Sequence, residues 1–259
     1  MRELMLEEMT WVEIEAEVRG GKRSAILAVA SVEQHGPALP LNTDVVLGRG
    51  LARSLARELG DALVAPILYP GCSDHHLAWP GTVSISPGVL AELVGSVAGG
   101  LARAGFEEIV LFPSHGGNFA PLREALPSIR GRAADAEIVD LLDFRAVLEA
   151  WFEVLERHGW EDRTPPHADI IETSMMMVLA PEAVRAAKMQ RGFVGRPDLE
   201  ELTGRGLQAF TENGVLGDPR GATPEMGREL IAAWVQYAAG EIRWRRSERP
   251  GGEWGPAGA

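Results

Sequence analysis

The chain of 259 residues has a single cysteine, Cys72, so no disulfide can form within it and a cysteine-rich zinc site is excluded. It has no apolar run near the roughly 18 residues that a membrane-spanning helix requires. It is short of basic residues. Lys and Arg number 25 against 37 Asp and Glu, a net charge of −12. A nucleic-acid partner is therefore not expected, because phosphate binding wants a basic face. The start of the chain, MRELMLEEMT, is acidic and lacks the basic and apolar regions of a signal peptide. The cytoplasm is the expected compartment, with no membrane association. What remains is ordinary globular material, 46% hydrophobic and 24% charged, and enough of it to bury a core without staples.

The apolar pattern alternates between strands and helices. AILAVA (25–30), ALVAPILYP (62–70), EEIVLFPS (107–114) and AEIVDLL (136–142) read as buried strands. Between them lie helical segments. One runs over Trp11–Arg19 with Thr10 as its N-cap, and one runs to about Leu59 with leucines at 47, 51, 55 and 59. Others run from Pro87 to Ala104, to about Ile129, and over 143–158, 170–180 and about 225–246. The order β-α-β-α-β-α-β predicts a three-layer α/β/α fold with a mainly parallel sheet. We expect one domain over 1–246 and a flexible tail over 247–259. The Gly- and Pro-rich stretch 190–224 is expected to be irregular and to cover a site or an interface.

In an open parallel sheet, ligands bind beyond the carboxyl ends of the strands. After the first strand stand Glu33, His35 and Asp44. Glu33 and His35 are two apart, so an extended segment turns both to one side. After the third strand stands His115, followed by Gly116 and Gly117, which let backbone approach a ligand closely. Farther on, PPHADIIETS offers His167, Asp169 and Glu172 before a Met-rich helix. Histidines and carboxylates without a thiolate suit Zn²⁺, Mn²⁺ or Fe²⁺, and a bridging carboxylate would allow two ions. Each residue also has a plainer reading. Asp44 fits a helix N-cap, His115 a turn, Glu33 a solvated loop. Asp74, His75, His76 and Trp79 fall in a long loop, 71–86, of the kind that tends to be functional. They are candidate substrate contacts together with Gly116 and Gly117, with loop polarity and packing as the alternatives. Asn118 is read as a helix cap, and the run RWRRSER (243–249) as the basic complement of the last helix's C-terminus.

The string SVEQHGPALPLNTD (31–44) resembles the signature of the creatininase (creatinine amidohydrolase) family, G-S-x-E-Q-H-G-P-H-L-P-L-x-T-D, with Ala30 and Ala38 as departures. WPGTVSIS (79–86) resembles F-P-G-T-x-S. SHGGN (114–118) resembles N-G-H-G-G-N. HADIIETS (167–174) resembles H-A-G-x-x-E-T-S. The resemblance implies a binuclear centre at the strand ends, with Zn the first choice and Mn or Fe the alternatives, and a homo-oligomer, often a hexamer. It implies Glu33, His35, Asp44 and His115 as ligands, Asp44 as the bridge, and His167 as the residue that moves protons. Gly117 stands where creatininases have a metal-binding Glu. Glu172 is taken to supply that ligand and a catalytic carboxylate. The expected activity is cleavage of a C–N amide bond, linear, cyclic or formamide, by a metal-bridging hydroxide on a small-molecule amide other than creatinine. The alternatives are a peptidase-like maturation enzyme, a ring-opening hydrolase of a sugar-derived compound, and a metal-stabilised binding oligomer without turnover. A nucleotide site has only the glycines at 116 and 117 in its favour, without a G-x-G-x-x-G or Walker pattern.

Overall fold

A computed structural model describes residues 4–197 and 199–248. Four strands form one parallel sheet in the order β2-β1-β3-β4: β1 Ser24–Val29, β2 Ala62–Val64, β3 Glu108–Pro113 and β4 Glu137–Asp140. The strands read as unbroken apolar runs because both faces of the sheet are covered. Along β1 the side chains alternate. Ala25, Leu27 and Val29 pack under Leu90, Val94 and Ala98 of α3 (Pro87–Arg103) and Leu122 and Ile129 of α4 (Phe119–Arg132). Ile26 and Ala28 meet Leu47, Leu51 and Leu55 of α2 (Thr43–Leu59) and Leu230, Trp234 and Ala238 on the C-terminal helix. Each fully buried leucine contributes about 1.5–3 kcal/mol from this burial.

Helix ends follow local chemistry. Helix α1 (Trp11–Arg19) starts in a capping box made by Thr10 and Glu13. Ser86 caps α3 ahead of Pro87. Gly60, with φ of 79°, closes α2 in the left-handed conformation. Helices α5 (Phe144–Arg157) and α6 (Ile170–Leu179) follow β4, each with an aspartate cap, Asp143 and Asp169.

Several sequence expectations need correction. The second strand stops at Val64, and only an isolated bridge pairs Leu68 with Val29, because Pro66 has no N–H for the ladder. The stretch 190–224 carries a short helix α7 (Leu199–Arg205) and two bridges from Leu216, to His167 and Phe193. Asn118 caps nothing with its side chain. It accepts from the N–H of Cys72 and donates to the carbonyls of Val29 and Ala30, tying β1 to the loop beyond β2. The last helix, α8, spans Pro224–Ser247, so it takes in the first residue assigned to the tail. Residues 249–259 lie outside the described ones. The basic run on α8 is spent on ion pairs, Arg246 with Glu108 at 2.7 Å and Arg245 with Asp140 at 3.1 Å. Among the described residues no helix is long and apolar enough to cross a membrane.

Candidate metal centre

The chain winds from β1 outward to β2, then back across to β3 on the other side. The crevice between β1 and β3 is thus the switch point where such sheets bind ligands. Glu33 and His35 leave the end of β1, and His115 leaves the end of β3. Asp44 sits in the first turn of α2, not at its cap position, which Asn42 occupies. All four are buried, at 1–4% exposure.

Asp44 is the hinge of the arrangement. Its Oδ1 lies 3.3 Å from Nε2 of His35, and its Oδ2 lies 3.4 Å from Nδ1 of His115. His115 Nδ1 is also 3.2 Å from Oε1 of Glu33, and His35 Nε2 is 3.6 Å from Oε2 of Glu172. The two carboxylate oxygens therefore face two different groups, Glu33 with His115 and Glu172 with His35. The far side of each ring is held by backbone. His35 Nδ1 donates to the carbonyl of Glu33 at 3.1 Å, and His115 Nε2 donates to the carbonyl of Cys72 at 3.0 Å. Each ring so fixed turns an unprotonated nitrogen to the site when neutral, which is how metal-binding histidines are usually oriented.

His76 and His167 are placed differently. The side chain of Gln34 accepts from the N–H of Gly36, which points its amino group at Nδ1 of His76, Nε2 of His167 and the carbonyl of Gly214, at 2.9, 2.9 and 3.0 Å. A ring nitrogen that accepts from this amino group carries its own proton on the other side. That other side faces Oε1 of Glu33, at 3.2 Å from His76 and 3.7 Å from His167. These rings also belong to clusters of potential ligand atoms within 4.8 Å of one another. Their hydrogen bonding suits them to donate to Glu33 instead.

The charges respond accordingly. Burial opposes the carboxylate of Glu33, yet His115 and His76 outweigh it and hold its pKa well below the usual range. Burial likewise opposes the charged form of His35, but Asp44 and Glu172 push its pKa up to about 10. His115 is raised to about 9, Glu33 and Asp44 overcoming burial. Burial, with repulsion from Asp44 working against attraction to His35, lifts Glu172 to about 7. Burial holds His76 and His167 well below the ordinary imidazole value, and burial with His115 lowers His75 to about 4.

Three buried atoms aimed at this space have no hydrogen-bond partner: Oε2 of Glu33, Nε2 of His35 and Oδ2 of Asp44. Buried polar atoms left in this state are costly unless another group completes them. A cation suits all three, because each can offer a lone pair.

Above the centre opens a cavity of about 400 Å³. Glu33, Asp44, His115 and Glu172 form its polar floor, with His75, His76 and His167 beside them, and Gly116 and Gly117 complete the lining there. Its walls are apolar, from Phe119, Phe144, Pro165 and Pro166, with Leu202, Leu207 and Leu216 from the stretch expected to be irregular. Arg123 also contributes to the lining. Asp74 and Trp79 do not line it. Asp74 is exposed and accepts from the hydroxyl of Ser84, while Trp79 packs against the Leu202, Leu207 and Leu216 cluster. Gln34 was not singled out from sequence. Its only signal is its place between Glu33 and His35.

Comparison with known proteins bears on this geometry. A family model described as creatininase, creatinine amidohydrolase, matches residues 7–242. The chain is 32% identical over 239 residues to the mycofactocin precursor peptide peptidase of Mycolicibacterium smegmatis, covering 87% of each chain. It is 27% identical over 261 residues to the creatinine amidohydrolase of Pseudomonas putida, covering 91% of this chain and 95% of that one. A solved creatininase variant of Zn–Zn type superposes with a TM-score of 0.82 at 26% identity, over 95% of this chain and 99% of the other. The buried histidine–carboxylate centre, the parallel sheet and these matches agree: the chain belongs to the creatininase family of amidohydrolases.

Proposed function

We propose that this family member is a two-metal hydrolase of an amide with an apolar body, and that creatinine is not its natural substrate. The observation that carries the reading is Asp44, whose two oxygens face separate histidines at 3.3 and 3.4 Å. In this reading Glu33, Asp44 and His115 hold one cation, and His35, Asp44 and Glu172 hold the other. Glu172 thereby takes the place that Gly117 leaves without a ligand. Two such ions, with Zn²⁺ first and Mn²⁺ or Fe²⁺ as alternatives, would polarise the acyl oxygen and make water nucleophilic at neutral pH.

The protein's own groups do the rest. His76 and His167 steady Glu33 through their N–H groups. His167 borders the cavity with its Nδ1 3.7 Å from Glu33, so it is the group placed to pass a proton to the leaving nitrogen. The apolar walls exclude water and bind the body of the substrate. A cavity of about 400 Å³ with eight apolar side chains in its lining suits a peptide-like or bulky acyl amide better than small, polar creatinine. The relative that is 32% identical is a peptide peptidase, which favours the peptide-like form of this reading. Trp11, at 74% exposure, and Val12, at 53%, lie uncovered on α1 and support assembly into a homo-oligomer, a hexamer in this reading.

The test is elemental analysis of untagged protein, then a screen of N-formyl amino acids, short peptides, lactams and creatinine on Zn-, Mn- and Fe-loaded enzyme. About two equivalents of metal are expected, with turnover of an apolar amide and little of creatinine. Protein that takes up no metal, or prefers creatinine, overturns the reading.

A further inference from the structure

The chain has six histidines, and five of them meet a carboxylate, a backbone carbonyl or the Gln34 amide through a ring nitrogen. His35 and His115 are pinned by backbone carbonyls on one side and face carboxylates on the other. His76 and His167 stand between Gln34 and Glu33. His158 pairs with Glu229 on α8. His75 is different. Its ring lines the cavity, half-buried, and neither nitrogen has a hydrogen-bond or ion-pair partner among the described residues.

What keeps the ring there is packing. It stacks on His115 with the planes 14° apart and the centroids 5.7 Å apart, and it meets His76 at 4.2 Å. Its other neighbour is Gly117. A Cβ at position 117 would lie 2.8 Å from Cε1 of His75, and 2.4 Å from both the carbonyl oxygen of Cys72 and Nε2 of His115. Two of those atoms belong to the hydrogen bond that orients His115, so they cannot give way without disturbing the floor. Any side chain at 117 would therefore compete with the His75 ring for this space.

A neutral imidazole has one donor and one acceptor. An amide offers an acyl oxygen to the donor. A polar ring that borders the cavity with neither nitrogen satisfied by protein fits a group that is completed by ligand.

We propose that His75 is a substrate-contacting residue that donates a hydrogen bond to the acyl oxygen of the bound amide, and that Gly117 is the positioning residue that leaves room for it. The inference rests on the two-metal reading above and adds the group that recognises the acyl side. It makes His75 and Gly117 one unit, so that residue 117 influences substrate through the histidine.

Benzohydroxamate is a suitable probe, because it chelates divalent metals and presents an acyl oxygen and an apolar ring to the same cavity. Its affinity is measured by calorimetry on Zn-loaded wild type, His75→Phe and His75→Gln, with metal content determined for each. His75→Phe keeps the ring's bulk and loses the donor, so binding should weaken about 5- to 10-fold, the worth of one hydrogen bond. His75→Gln keeps an N–H and should stay within about threefold of wild type. All three should hold the same metal. Equal affinity of wild type and His75→Phe overturns the inference and leaves the metal reading intact. Metal-loaded wild type that fails to bind the probe also overturns it. Wild type that takes up no metal overturns the parent reading, and this inference falls with it.

Discussion

Loading the centre with a divalent cation should expel protons, and the number follows from the ring environments. In the metal-free protein the buried carboxylates of Glu33 and Asp44 and the half-buried one of Glu172 surround His35 and His115. Burial works against a charged ring, but Asp44 and Glu172 raise His35 to about 10, and Glu33 raises His115 to about 9. At pH 7.5 both rings are imidazolium and stand in for the absent positive charge. A metal ligand must be the neutral ring, so filling both positions displaces about two protons, plus a small fraction from Glu172, whose pKa lies at about 7. The apparent affinity for the pair of ions should then rise by about two log units per pH unit between about pH 7 and 9. Calorimetric titration of ZnCl₂ into chelator-stripped protein, in buffers of different ionisation enthalpy, counts the protons directly. A count near zero would show that the rings are already neutral and that the charge-balance argument is wrong. The sign for stability is the reverse. Both folded pKa values lie above the ordinary 6.5, so the stabilisation is fully present below that pH and is lost as pH rises through about 9 and 10. Stripped protein should melt lower at pH 10 than at pH 6.5, while loaded protein gains from the same change over pH 6.5 to 9.

Three further outcomes are expected. Asp44→Ala should remove most of both metal equivalents, because one side chain serves both groups; elemental analysis that finds both ions retained refutes the bridging role. Gln34→Leu should leave the metal content near wild type but lower kcat by about 10- to 100-fold, as loss of a supporting partner does at metal sites; unchanged kcat would show that the rings of His76 and His167 need no such support. Gly117→Ala should cost about 1–3 kcal/mol in thermal melts of the stripped protein, through crowding at Cys72 and His115; an unchanged melting temperature refutes the account of that contact.

Much of the fold was legible because its signals are local. Thr10 and Glu13 cap α1, the leucines of α2 recur on one face, and the strands are apolar runs bounded by polar loops. The errors have physical causes. Pro66 cut the second strand short. Asn118 reads as a cap by type, but it is buried against the end of β1, where the carbonyls of Val29 and Ala30 accept from its amide. Asp74 and Trp79 share a loop with His75 and His76, yet a 3-10 turn over Asp74–His76 sends the two histidines inward and leaves Asp74 in solvent. The segment around Leu202, Leu207 and Leu216 has no periodicity to betray that it walls the cavity.

By itself the sequence determined the layer architecture, the parallel strands, and which segments bearing His, Asp and Glu stand at strand ends, since these depend on apolar periodicity and on neighbours along the chain. Only the tertiary structure decided which atoms meet. The strand order β2-β1-β3-β4 sets the end of β1 beside that of β3 and brings residues 33, 76, 115 and 167 within reach of one another. From that convergence come the two-sided environment of Asp44, the grip of Gln34 on two rings, and the freedom of His75. Each is a matter of distances and lone pairs between segments remote in sequence, and no local pattern encodes them.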